Sequence, residues 1–156
     1  MSDPAPRERV LVSACLLGQH CRHDARTCSD GPLARELAAQ GLEPVPFCPE
    51  EHGGLGTPRP PASIEATTAA DVLDGRARVV TDAGADVTPQ FVKGAEGALA
   101  TCKAHGIVRA FLKERSPSCG TCRTHVDGKL VEGPGVTAEL LRRHGIATTP
   151  VEGRRE

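Results

Sequence analysis

Short apolar runs recur along this chain and are separated by segments with helical periodicity. Residues 9–14 (RVLVSA) are nearly continuously apolar, which is typical of a strand buried on both faces. Residues 42–47 (LEPVPF) and 107–114 (IVRAFLKE) predict two further strands, and 146–151 (IATTPV) predicts a short last strand. Strands that alternate with helices indicate a mainly parallel sheet covered on both faces.

Three segments between these strands carry the start and stop signals of helices. Two of them pair a candidate N-terminal cap with a glycine at the end: Ser29 or Asp30 with Gly41, and Thr88 with Gly106. The third, 135–145, has Thr137 as its candidate cap and basic residues at its C-terminal end. Pro32 and Pro89 stand in the first turn of their segments, where proline is tolerated.

Residues 49–63 are rich in proline and glycine and predict an extended loop. Residues 70–87 then predict a β-hairpin that turns at Asp74-Gly75. The predicted fold class is therefore α/β, a single-domain three-layer sandwich with a mainly parallel sheet and one β-hairpin excursion. The domain is expected over 9–150, with 1–8 as a disordered lead and 151–156 as a flexible tail.

Composition narrows the function classes. The chain has 156 residues, a net charge of −1, no Trp or Tyr and only three Phe, so neither charge nor aromatic stacking favours nucleic-acid binding. No apolar leader or membrane-length apolar span is present, which predicts a cytoplasmic protein. In a reducing compartment, seven cysteines indicate metal binding or thiol chemistry more than disulfides.

Three cysteines each follow a predicted strand: Cys15, Cys48 and Cys119. The carboxyl ends of parallel strands open onto one crevice, where ligands bind in α/β folds. Thiolates are soft ligands suited to zinc and iron–sulfur clusters, so these cysteines predict a metal or cluster site. The alternative is that all three are buried packing residues.

Polar residues beside these cysteines are candidates for proton transfer. Glu50 and Glu51 follow the second cysteine after one proline, and a carboxylate beside a metal centre is a natural proton shuttle. A solvated acidic loop is the alternative. Ser116 and Ser118 offer hydroxyl groups on the loop of the third cysteine.

A glycine-rich stretch, 53–56, lacks the lysine and the strand–turn–helix context of a phosphate-binding loop. We interpret it, with Gly54 at its centre, as space for backbone amides near a ligand, and Arg59 as an anion contact.

Other cysteines and histidines give weaker signals. Cys119 and Cys122 form a CxxC pair, which leaves a zinc or thiol-redox site open as an alternative, although Cys122 reads better as incidental. The rest are interpreted as a solvated loop (His20, Cys21, His23, Cys28), a core residue (Cys102) and solitary surface residues (His52, His105, His125, His144).

Five motifs in order resemble a known family over nearly the whole chain: VLVSACLLGxxCRxD, FCPExxGGLxTPRPP, DVTxxFxxGA, LKxRSPSCG and GxGVTAxLLRRxGI. This family was long catalogued as a domain of unknown function and includes the bacterial thiouracil desulfidases. Two departures stand near the first cysteine, where His23 replaces an expected aromatic residue and Ala25 an expected glycine. They put the wall of the pocket, and hence the substrate, in doubt more than the cluster.

The resemblance implies a [4Fe-4S] cluster held by Cys15, Cys48 and Cys119, with one iron left open. That iron would bind the thiocarbonyl sulfur of a small thiolated heterocycle such as 2-thiouracil while water replaces the sulfur. Glu50 would be the general acid/base and Ser116 would orient substrate or water. Gly54, Arg59 and Ser118 are the further substrate-binding candidates.

Two alternatives remain open at this stage: a non-catalytic carrier of sulfur or iron, and a zinc or thiol-redox protein using Cys119 and Cys122. The sequence indicates no oligomeric state.

Overall fold

Four parallel strands form the main sheet of the protein. The computed structural model describes residues 8–19, 30–57, 59–116, 118–120 and 123–153. The sheet has the order β2-β1-β5-β8. Its strands are β1 (Glu8–Ser13), β2 (Leu42–Phe47), β5 (Arg109–Lys113) and β8 (Ala147–Val151). All four predicted strands are therefore present, and all three pairings are parallel.

Successive side chains of β1 point to opposite faces of the sheet and pack into two separate parts of the core. Val10 and Val12 pack on one face with the buried leucines of α1 (Gly31–Ala39). Leu11 packs on the other face with α4 (Thr88–His105) and α5 (Val136–Arg143). Because helices cover both faces, this part of the molecule has three layers, and the predicted α/β fold class is confirmed.

The three predicted helices are present, but two of their predicted caps are wrong. Thr88 is the first residue of α4, and its hydroxyl accepts a hydrogen bond from the Val79 N–H at 2.8 Å. Thr137 lies inside α5, which begins after Gly135. Asp30 occupies the N-cap position of α1, and Ser29 lies outside the described residues.

The predicted hairpin at Asp74-Gly75 is also wrong. Residues Ala69–Leu73 form a short helix, α3, whose N-cap Thr68 accepts a hydrogen bond from the Asp71 N–H. Gly75 follows this helix with a φ of 77°, so the Asp-Gly pair ends a helix instead of joining two strands.

A second, mixed sheet of four short strands contains a β-hairpin at a place that was not predicted. Its order is β4-β3-β6-β7, with β3 at Ala62–Ile64, β4 at Val79–Thr81, β6 at Arg123–Val126 and β7 at Lys129–Glu132. Strands β6 and β7 are joined by Asp127-Gly128, both with positive φ (50° and 76°), which suits a tight two-residue hairpin turn.

The predicted loop at 49–63 contains a one-turn helix, α2 (Pro49–His52), that lies directly on α4. A Cβ on Gly94 would stand 2.1 Å from the Pro49 carbonyl oxygen, and a Cβ on Gly53 would stand 2.0 Å from that of Gln90. The two backbones touch because neither glycine has a side chain. Gly53 therefore serves the packing of helix on helix, a role that the sequence interpretation had not assigned to it.

The described strands slightly exceed the expected domain limits, since Glu8 opens β1 and Val151 closes β8. In the described part of the chain, no helix combines the length and apolar character that a membrane span requires.

Candidate functional site

A cavity of about 1010 Å³ opens where β1, β2 and β5 end, and the second sheet forms part of its wall. Cys15, Cys48 and Cys119 all line it. Cys15 follows β1 in a turn of 3-10 helix, Cys48 follows β2, and Cys119 lies on the loop after β5. Three thiols that are far apart in the chain thus meet in one cavity, as the strand-end pattern predicts.

The end of the sheet positions the first cysteine, and the contact of α2 with α4 positions the second. The Ser13 hydroxyl accepts a hydrogen bond from the Lys113 N–H at 2.9 Å, which joins the ends of β1 and β5 beside the cavity. Cys15 is only 8% exposed. Cys48 is the N-cap residue of α2, so the close contact of α2 with α4 sets its position.

Ser116 and α5 hold the loop of the third cysteine. The Ser116 hydroxyl oxygen accepts hydrogen bonds from the N–H groups of Ser118 (3.1 Å) and Cys119 (3.0 Å). The Ser118 carbonyl accepts from the Thr137 N–H at 2.8 Å, and the two hydroxyl groups lie 2.6 Å apart. This local bonding replaces regular secondary structure and leaves Cys119 only 5% exposed.

Glu50 connects the segment of the second cysteine to the loop of the third. Its Oε2 accepts a hydrogen bond from Arg59 Nε at 2.9 Å, and its Oε1 accepts one from the Ser116 hydroxyl at 3.5 Å. The Arg59 side chain is 6% exposed and that of Glu50 is 17% exposed. Removing one partner from such a partly buried ion pair generally costs stability, so Arg59 holds the carboxylate in place.

Arg59 also braces its own loop. Its Nη1 donates to the Gly56 carbonyl at 3.2 Å and to the Thr57 hydroxyl at 3.0 Å. Arg59 lines the cavity, and these contacts are to protein groups that shape the loop after α2. This geometry gives Arg59 a supporting role toward Glu50 in addition to the anion contact expected from the sequence.

The structure brings together six of the eight predicted site residues around the cavity: Cys15, Cys48, Glu50, Arg59, Ser116 and Cys119. The other two stand elsewhere. Ser118 is completely buried against Thr137, and Gly54 is an exposed residue with a φ of 98° beyond α2.

His125 was missed by the sequence interpretation, which placed it among solitary surface residues. It lies on β6, lines the cavity and is half-buried, with Nδ1 2.7 Å from the Arg115 carbonyl oxygen. The sequence feature that could have identified His125 is the Asp127-Gly128 pair, because this dipeptide is typical of a hairpin turn and so places residue 125 on a strand.

The donor set, three cysteine thiols around one cavity, is of the kind that holds an iron–sulfur cluster. None of the three forms a disulfide, and among the described residues no three His, Cys, Asp or Glu side chains are grouped to hold one metal ion. Cys21, Cys28 and Cys122 lie outside the described residues.

Cys102 has no part in this cavity. It lies on the buried face of α4, in the core, as predicted, and burial raises the pKa of its thiol to about 11. A thiol with that pKa stays protonated at neutral pH and is chemically inert.

Comparison with known proteins identifies the family. The family model of the 2-thiouracil desulfurases matches residues 10–152. The chain belongs to the 2-thiouracil desulfurase family. The family resemblance predicted from the five motifs is thereby confirmed.

One sequence relative and one solved structure are similar to this protein over most of their length. The uncharacterized protein YbbK of Bacillus subtilis (strain 168) is 41% identical over 139 residues, which cover 87% of this chain and 91% of YbbK. The solved structure of TudS, a [4Fe-4S]-dependent thiouracil desulfidase, is 44% identical with a TM-score of 0.78. That alignment covers 92% of this chain and 91% of TudS, so the two proteins share their fold.

Proposed function

We propose that this protein is a [4Fe-4S]-dependent desulfidase that removes sulfur from a thiolated pyrimidine of the 2-thiouracil type. Sulfur is replaced by water, which yields a uracil-type product and sulfide. The observation that carries the proposal is one cavity lined by three strand-end thiols and by the hydrogen-bonded pair of Glu50 and Ser116. Membership of the 2-thiouracil desulfurase family and the likeness to TudS support it.

Cys15, Cys48 and Cys119 hold the cluster in this proposal, and three protein ligands leave one iron open. When bound, the cluster supplies a thiophilic Lewis acid that polarises a C=S bond. The common cavity of the three thiols supports this assignment.

The chain itself handles the protons. The reaction exchanges C=S and water for C=O and hydrogen sulfide, so both protons of the water leave its oxygen and no electrons are transferred. Glu50 accepts a proton from the water, because it is the carboxylate that the Ser116 hydroxyl contacts inside the cavity. Ser116 orients the water or the substrate, and Arg59 keeps the Glu50 carboxylate facing Ser116.

Iron analysis after anoxic reconstitution tests the cluster assignment. About four iron and four acid-labile sulfide per chain are expected for wild type, with loss in Cys15→Ser, Cys48→Ser and Cys119→Ser. Cys102→Ala is the matched control, since it removes a buried thiol outside the cavity and leaves the iron content unchanged. Zinc in place of iron would overturn the assignment and favour the zinc or thiol-redox alternative.

Release of sulfide and uracil from 2-thiouracil by the reconstituted protein tests the activity. Glu50→Gln is expected to retain iron and lose turnover, because the amide cannot accept the proton. A protein that holds its cluster and transfers sulfur to an acceptor protein, without turnover of any thiolated base, would instead be a sulfur carrier.

A further inference from the structure

The hydrogen bond of His125 fixes which of its ring nitrogens carries a proton. Nδ1 lies 2.7 Å from the carbonyl oxygen of Arg115. A carbonyl oxygen can only accept a hydrogen bond, so Nδ1 is the protonated nitrogen. In the neutral imidazole the lone pair then stands on Nε2, which becomes a hydrogen-bond acceptor.

His125 stands beside the residues assigned to chemistry. Its acceptor, Arg115, directly precedes Ser116 in the chain. The neighbouring Thr124 hydroxyl donates to the Ser116 carbonyl at 3.0 Å, so β6 is joined to the Ser116 segment at two consecutive residues. The imidazole and the Glu50–Ser116 pair line the same cavity.

Two other polar side chains of the cavity, those of Glu50 and Ser116, already bind protein groups. Both carboxylate oxygens of Glu50 accept hydrogen bonds, from Arg59 and from Ser116. The Ser116 oxygen itself accepts from two backbone N–H groups. Nε2 of His125 is therefore well suited to accept a hydrogen bond from a ligand N–H.

A thiolated pyrimidine brings ring N–H groups next to its thiocarbonyl carbon. One such ring fills only a small part of a cavity of about 1010 Å³, so it needs directional contacts to hold its C=S bond in a reactive orientation. We propose that Nε2 of His125 accepts a hydrogen bond from a ring N–H of the substrate and orients the thiocarbonyl group. This inference rests on the proposed desulfidase function.

Two variants separate substrate contact from structural support. In His125→Asn the side-chain amide takes the place of Nδ1–H and retains the bond to the Arg115 carbonyl, while the acceptor at Nε2 is lost. In His125→Gln the amide oxygen reaches the position of Nε2 and retains an acceptor. If His125 contacts substrate, the Asn variant raises KM for 2-thiouracil about tenfold with a smaller change in kcat and unchanged iron content. The Gln variant lies closer to wild type.

Methylated substrates report on the hydrogen bond itself. Wild type is expected to discriminate against either 1-methyl-2-thiouracil or 3-methyl-2-thiouracil, whichever lacks the N–H that faces His125. His125→Asn is expected to lose that discrimination. A wild-type KM and unchanged discrimination in the Asn variant would overturn the proposal and leave His125 a structural residue.

Two measurements stay independent of turnover. Nitrogen-15 NMR of histidine-labelled protein should find Nδ1 protonated and Nε2 unprotonated, and the opposite tautomer would overturn the proposal even in an active enzyme. Equilibrium binding of 2-thiouracil to reconstituted wild type and His125→Asn should differ about tenfold. Failure of wild type to release sulfide would refute the desulfidase function, whereas equal binding by the two proteins would refute only the role of His125.

Discussion

Gly94→Ala should damage the site by displacing α2, although Gly94 does not itself line the cavity. The new Cβ would lie 2.1 Å from the Pro49 carbonyl oxygen, 2.7 Å from its carbonyl carbon and 3.1 Å from its Cα. All three are backbone atoms, so no side-chain rotation relieves the overlap. An ordinary contact of 3.4 Å requires α2 to move by about 1.3 Å.

That displacement falls on Cys48 and Glu50, which flank Pro49. A shift of about 1 Å in reacting groups can cost about a hundredfold in rate, so sulfide release should fall by about that factor. Overpacking of this kind generally costs about 1–3 kcal/mol, partly offset by about 1 kcal/mol of helix propensity gained on replacing glycine by alanine. A modest loss of stability is therefore expected beside a large loss of activity.

Gly97→Ala is the matched control on the same helix. Its Cβ would meet the imidazole of His52 at 2.3 Å, but that side chain is exposed and can turn away from its contact with Phe47. The same gain in helix propensity then appears without movement of α2. Gly97→Ala should hold its iron, keep its activity and unfold at a temperature equal to or above that of wild type.

The assays are iron per chain, sulfide release and thermal unfolding for both variants. If Gly94→Ala keeps full activity and a full complement of iron, α2 is not positioned by its contact with α4. Equal damage in both variants would show instead that α4 tolerates no added methyl group, and the argument from backbone contact would fail.

Three further predictions concern single contacts. Arg59→Met leaves the partly buried Glu50 carboxylate without its cation and should lower the free energy of unfolding by about 1–3 kcal/mol, with Arg59→Lys in between; equal stability in denaturant titration would contradict this. Ser116→Ala should lose both turnover and iron, because two N–H groups of the cysteine loop lose their acceptor, whereas Ser116→Thr should retain iron; unchanged iron in the Ala variant would disprove the loop role. The hydrogen bond from Arg143 holds the pKa of Asp74 below its usual value of 3.8, so its contribution to stability is present above pH 3.8 and is lost as the pH falls through the lowered pKa. Arg143→Gln should flatten that acid dependence in denaturant titrations, and an unchanged slope would contradict it.

Much of the site could be predicted because it lies on the regular part of the fold. The apolar runs 9–14, 42–47 and 107–114 identify parallel strands, and parallel strands bring their carboxyl ends to one edge of the sheet. A cysteine at each of these ends therefore reaches the same cavity, whatever the rest of the chain does. Adjacency in sequence then brings Glu50 to Cys48 and Ser116 to Cys119.

The hairpin was misplaced because the same dipeptide supports two structures. Asp74-Gly75 ends a helix that Thr68 caps and whose Ala69 and Val72 are buried three residues apart. Asp127-Gly128 joins two paired strands. A glycine with positive φ suits both a helix end and a hairpin turn, so the hydrophobic periodicity of the flanking residues must distinguish them. A helix of five residues is too short to show that periodicity. For the same reason His125 was not predicted to line the cavity, because it lies on β6 of the hairpin that turns at Asp127-Gly128.

The contacts of Gly53 and Gly94 are tertiary and leave no local signal, which is why the glycine-rich stretch was interpreted as a ligand loop. Gly53 and Gly94 allow α2 to lie on α4, and α2 then presents Cys48 and Glu50 to the cavity. Ser116 adds the complementary constraint, because one oxygen supports the Cys119 loop and contacts Glu50. Under the proposed function, support of the cluster and handling of protons therefore share atoms. A loss of turnover at Ser116 has two separable causes, and only iron content measured on the same variant distinguishes a lost cluster from a lost proton path.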